Sequence, residues 1–273
     1  VGTEAKNKSG QMSRKALLRE EGLMPLLEHL GELRKRLVYV LIILVLGLVV
    51  GLVFAQPVYD FLMSQKPANT ISLHTFSLWD GIGMYMKFAF VIALILALPM
   101  IAFQLWAFVK PALRKNEQRS TLKYVPFALL MFLIGLAFSY FVVFPLAFNF
   151  TRTVAQHLNL EETYGIAQYF TFMFNLLIPI SLLFELPLVI MFLTAIRLVN
   201  PKRLRKMRRF AYFVMVFIGV VITPPDFISD ILVAIPLIIL YEISVFLSGT
   251  VHKKQLAADA KWESEFDDSL HKA

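Results

Sequence analysis

The chain has 273 residues, is 58% hydrophobic and carries a formal net charge of +8. Only 17% of its residues are charged, against about 25% in ordinary soluble domains, and its mean hydropathy is +0.67. Such values exclude an ordinary soluble domain, and the absence of cysteine excludes disulfide frameworks and thiolate metal sites.

Residues 1–23 read as a flexible polar tail. The segment MPLLEHLGELRKRL follows, with Pro25 at a first helical position. Leu26, Leu27, Leu30, Leu33 and Leu37 fall on one face, and Glu28, Glu32, Lys35 and Arg36 fall opposite. This spacing predicts an amphipathic helix at a membrane interface, running into the first span.

A hydrocarbon core of about 30 Å needs roughly 20 apolar residues as helix. Six stretches qualify as candidate spans, at 37–54, 84–108, 124–148, 169–196, 211–222 and 231–247. Continuous apolar runs of this kind read as helices rather than barrel strands. The fifth and sixth are short, reaching about 18 and 26 Å at 1.5 Å per residue, so they would thin the bilayer or recruit flanking residues. Residues 24–247 therefore form one membrane domain, and 248–273 a second polar, flexible tail. The fold class expected is all-α, with six transmembrane helices.

Lys and Arg set the orientation. The N-terminal segment, loops 109–123 and 197–210 and the C-terminal tail hold 24 of them, whereas the alternate loops hold two. Both termini are expected in the cytoplasm. The basic charge is thus topology, and no aromatic-interleaved module points to nucleic acid.

Several polar residues stand out. Glu32 precedes span one and, by spacing, either pairs with Arg36 at i,i+4 or faces a ligand. Glu117 is the one acid in KPALRKNEQR; Arg114 or Lys115 neutralises it, or it recognises a cation. Asp226 follows the Pro224-Pro225 turn and either caps span six or meets a partner. Thr223 and Asp230 flank that turn. Lys87 lies where it can snorkel to the interface, and Glu242 lies near headgroup water. The run LLFELPLVIMFL (182–193) buries one carboxylate, Glu185, at a depth where a charge costs roughly 2.5–3.5 kcal/mol. Pro187 leaves the Leu183 carbonyl without its usual donor. Glu185 is either a structural hydrogen-bonding group or a polar point facing a cavity or groove. The prolines at 99, 126, 145, 179, 187 and 236 are expected to bend their spans.

Five segments carry a resemblance: HLGELRKRL (29–37), QLWAFVKPALRKNEQR (104–119), YFVVFPLAFNF (140–150), LLFELPLVI (182–190) and TPPDFISDILVAIP (223–236). In order and spacing they resemble the TatC family, the polytopic core of the twin-arginine protein translocase. The resemblance implies a receptor, not an enzyme, with no cofactor and no metal. It implies binding of paired-arginine signal peptides on folded cargo, partnership with single-span TatA and TatB subunits, and transport driven by the proton-motive force. It also implies homo-oligomers within a Tat complex, in the bacterial cytoplasmic membrane or the thylakoid.

Onto matching positions it carries Glu32 and Glu117 as the signal-peptide site. Arg34, Arg36, Phe108 and Pro111 support that site, and Glu185 is an intramembrane polar point. Thr223, Asp226 and Asp230 lie at the partner-docking turn. Asp230 departs from the family, where a neutral glutamine occurs. Paired guanidiniums suit carboxylates because they are planar, permanently charged forks. A proton-coupled small-molecule transporter is the alternative. It expects inverted repeats, and 37–148 and 169–247 show no self-similarity. No HExxH, P-loop or GxSxG motif supports a membrane enzyme.

Overall fold

The structure is a computed structural model. It describes the backbone of residues 2–110, 118, 122, 124–224 and 227–271, and most of their side chains between 31 and 260. Helix α1 runs from Gly2 to Ser64 and α2 from Trp79 to Val109. The third span is α3 (Tyr124–Phe138), a π-helical segment (Ser139–Val143) and α4 (Phe144–His157). The fourth is α5 (Ile166–Leu183) and α6 (Leu186–Ala195). A short α7 (Pro201–Lys206), α8 (Arg208–Ile222) and α9 (Phe227–His271) complete the chain. Two-residue strands β1 (Leu73–His74) and β2 (Tyr164–Gly165) pair in parallel, with Leu73 opposite Tyr164. They tie the α1–α2 connection to the start of α5. The protein is a multi-pass, all-helical membrane protein.

Among the described residues, five helical stretches are long and apolar enough to cross a membrane: Gly31–Ser64, Trp79–Phe108, Val125–His157, Ile166–Ala195 and Phe227–Ala257. The expected fifth span, α8, has 15 residues and reaches only about 22 Å. The expected shortness of the sixth is corrected. Its apolar run lies inside the 45-residue α9, because the helix continues past both ends of the apolar stretch. Helix likewise extends through the stretches expected as tails, 2–23 and 248–271. The amphipathic segment joins the first span without a break.

Lipid is as apolar as leucine, so helices in a membrane associate through close packing of small residues. Helices α1 and α2 do this. Gly47, Gly51 and Ala55 recur every four residues, as do Ala89, Ala93 and Ala97, and Gly51, Ala55, Ala89, Ala93 and Ala97 are buried. A Cβ on Gly51 would lie 2.3 Å from the Ala89 carbonyl oxygen, and one on Gly47 would lie 3.1 Å from the Ala93 Cα. Gly135 of α3 does the same against span four: its Cβ would meet the Phe184 ring at 2.8 Å and the Ser181 Cα at 2.9 Å.

Two cores result. One is aromatic and joins Phe88, Phe144, Phe148, Tyr169, Phe170 and Phe174, with several edge-to-face pairs such as Phe88–Phe174 at 5.1 Å. The other joins Val143, Ile180, Phe184, Met215, Val233 and Leu237, where spans three to six meet.

The prolines act unequally. Pro99, Pro179 and Pro236 lie inside continuous helices. Before Pro145 the third span loosens into the π-helical segment, which absorbs the missing donor. Before Pro187 the fourth span breaks at Phe184 and Glu185. There Glu185 N–H bonds back to Leu182 at 3.1 Å, tightening the turn.

Gly51→Ala is expected to force α1 and α2 apart and to destabilise the protein by about 1–3 kcal/mol. Gly81→Ala, with no atom within 4 Å of its Cβ, leaves stability unchanged. Melting of the two variants in detergent, followed by circular dichroism, checks the contrast.

Candidate functional site

Glu32 and Arg36 stand one turn apart on α1 and form an ion pair. Arg36 also reaches across to α2, where Nη1 donates to Gln104 Oε1 at 3.3 Å. The first motif of the sequence is thereby docked on the second. The Glu32 side chain keeps 34% of its surface exposed and Arg36 keeps 21%. Arg34 and Lys35 are exposed. They add positive charge next to the pair in sequence.

Phe108, on the last turn of α2, packs against Ala195, as do Phe192, Ile196 and Val251. It fixes the end of α2 against the end of span four. Trp106 is buried beside it, with the Lys110 ammonium 5.4 Å from its ring centroid. Past α2, the Gln118 side chain donates to the Lys110 carbonyl at 3.0 Å. Glu117, Pro111 and Asp226 lie outside the described residues.

Glu185 sits in the break of span four, directly before α6, and caps no backbone N–H. Both carboxylate oxygens are buried without a hydrogen-bond partner. The Phe132 backbone faces them from the third span. The carboxylate oxygens are covered by protein, between spans three and four.

Thr223 ends α8, and its hydroxyl lies 2.7 Å from Asp230 Oδ1 and 2.9 Å from the Gly219 carbonyl. Asp230 occupies the first turn of α9, where a negative charge suits the helix dipole. It therefore ties the turn between α8 and α9.

Among the described residues, no group of three His, Asp or Glu side chains could hold a metal ion. The profile of the family described as Sec-independent protein translocase protein (TatC) matches residues 28–236. The chain belongs to the TatC family. The TatC of Halalkalibacterium halodurans is 42% identical over 231 residues, covering 85% of this chain and 91% of that one. The TatC of Escherichia coli K12 is 36% identical over 232 residues, covering 84% and 89%. A crystal structure titled as the twin-arginine translocase receptor TatC in the detergent DDM superposes with a TM-score of 0.70. It is 31% identical and covers 81% of this chain and 99% of its own.

Sequence reasoning missed several contacts that shape this TatC-family fold. Gln104 lies inside a quoted motif, and its role shows only once α1 and α2 are paired. Glu242 is also paired: Arg208 donates to it at 2.6 Å, and the Tyr212 hydroxyl donates to its other oxygen. Thr194 and Ser248 share a buried hydroxyl contact at 2.7 Å, and the Gln255 side chain donates to the Ala195 carbonyl at 2.7 Å. Their signal in sequence is faint, since single Ser, Thr and Gln residues carry no periodicity.

Glu185→Met removes a buried, unpaired polar group. Its expected effect is a gain of about 1–3 kcal/mol in stability, seen as a higher melting temperature. Glu185→Asp, which keeps the carboxylate, gives no gain. A lower melting temperature for the Met variant would show that the carboxylate has a partner in the membrane.

Proposed function

We propose that this chain is the receptor subunit of a twin-arginine protein translocase, with both termini in the cytoplasm of a bacterium. Glu32 and Glu117 hold the two guanidiniums of a signal peptide. The observation that carries the reading is the Glu32–Arg36 pair, docked through Gln104 on the motif that leads into Glu117. It fixes one carboxylate against the last turns of α2, the helix that in sequence leads into Glu117.

The energetics suit capture. An i,i+4 ion pair is worth only a few tenths of a kcal/mol, so Arg36 holds Glu32 in place without competing strongly. A carboxylate has about four acceptor positions, enough for Arg36 and an incoming bidentate arginine together. The flanking Arg34 and Lys35 disfavour cations that lack the planar fork. The distribution of Lys and Arg, 24 against two, supports the cytoplasmic assignment of the site.

The remaining roles follow from position. The Thr223–Asp230 tie sets the turn, with Asp226 inside it, and this turn is where single-span TatA- and TatB-type helices dock. Phe108 and Pro111 shape the rim of the signal-peptide loop. Glu185 is the polar point within the membrane that a partner helix or a passing signal peptide meets when span four opens. Homo-oligomers within a Tat complex complete the assembly.

Photo-crosslinking from positions 32 and 117 to a twin-arginine signal peptide tests the reading. The expected result is a crosslink well above that of a twin-lysine control. Glu32→Gln with Glu117→Gln lowers peptide binding about 100-fold, as expected when two charge-assisted contacts are lost. Normal membrane insertion of the double variant together with undiminished binding would refute the site.

A further inference from the structure

Lys87 is a cation within an apolar span, and it does not simply extend to water. It lies eight residues beyond Trp79, the first residue of α2, which is about 12 Å along the helix. Side chains lean toward the N-terminus of their helix, so the Lys87 stem carries its ammonium back toward the membrane surface. There it donates to the Thr171 hydroxyl of α5, and Thr171 in turn donates to the Ala167 carbonyl. That partner is neutral. Among the described residues no carboxylate pairs with Lys87, so one positive charge stands uncompensated near the start of α2.

The surroundings form a site. A groove of about 400 Å³ opens beside Lys87 between α1, α2 and α5. Its floor is apolar, made by Leu48, Phe90, Val91, Phe174 and Ile178. Asn175 and Thr171 line it and also line an adjoining depression that reaches Gln168. Gln168, Thr171 and Asn175 follow one another at i, i+3 and i+7, one helical face. The side chains of Gln168 and Asn175 are exposed and make no hydrogen bond to a described residue. A cation and the Asn175 amide thus sit beside an apolar trough.

We propose that this groove binds an anionic phospholipid, with the headgroup phosphate on Lys87 and Asn175 and one acyl chain along the trough. One phosphodiester carries the single negative charge that the site lacks. No carboxylate lines the groove to receive a headgroup amine, so headgroups without an amine are preferred. The apolar floor requires the acyl chain, so a soluble phosphate ester is not the ligand. The site requires only that the protein spans a membrane, and it stands apart from the signal-peptide reading.

The full chain, reconstituted in nanodiscs of equal phosphatidylglycerol and phosphatidylethanolamine, is released and examined by native mass spectrometry. Retained lipid is expected to be enriched in phosphatidylglycerol. Lys87→Gln lowers that enrichment about fivefold, the effect of removing one cation near an anionic surface, and Lys87→Arg preserves it. Val91→Trp fills the trough with the charge intact and lowers retention of the same lipid. Soluble glycerol phosphate fails to displace it. Unchanged enrichment in Lys87→Gln, or displacement by glycerol phosphate, overturns the proposal. If Lys87→Gln does not fold by circular dichroism, Val91→Trp decides, and full retention there overturns it.

Discussion

The approach of Gly51 to the Ala89 carbonyl governs much of this molecule. A bilayer gives apolar helices no reason to prefer each other over lipid, so α1 and α2 must gain their attraction from contact at the shortest range. Three small residues on each helix supply it. The register that results is narrow, because the four-residue spacing matches on both sides. It sets Arg36 opposite Gln104 at one end. At the other it places Tyr85 within 3.1 Å of the Gln56 side chain. Both the basic motif at the start of span one and the groove beside Lys87 inherit their geometry from that one seam.

The second constraint is that backbone groups inside a membrane must find partners within the protein. Pro145 and Pro187 each remove a donor, and the chain answers them differently. The third span widens by a π turn and stays helical. The fourth breaks and restarts, and the break leaves Glu185 enclosed with no bond to its carboxylate. A protein that needed only a stable bundle would gain by placing a methionine there. The transport role proposed for Glu185 would account for an acid at that position.

Much of this was legible in the sequence because hydropathy and charge report on solvent directly. The spans, the basic segments between them and the oddity of Glu185 are all statements about which residues tolerate lipid. The five motifs were legible for another reason: their order and spacing match a family. What escaped is what depends on pairing. Gln104, Ser248 and Gln255 look like ordinary polar residues until a second helix is placed against them. The length of α9 escaped too, since hydropathy marks where lipid ends and says nothing about where a helix ends. The neighbour of Glu185 escaped as well, because depth along one helix does not reveal that the Phe132 backbone of span three lies beside it.

The lower half of span four is bound to α9 by a series of ties. Thr194 meets Ser248, the Ala195 carbonyl accepts from Gln255, and the Arg197 guanidinium meets Asp259 at 2.8 Å. The upper half, α5, is held instead by the aromatic core and by Gly135. Span four is therefore fastened by different means on the two sides of its break, by polar ties on one and by apolar packing on the other. Polar ties hold a fixed distance and direction, whereas apolar surfaces can slide, so the two halves of one membrane crossing would answer a displacement differently.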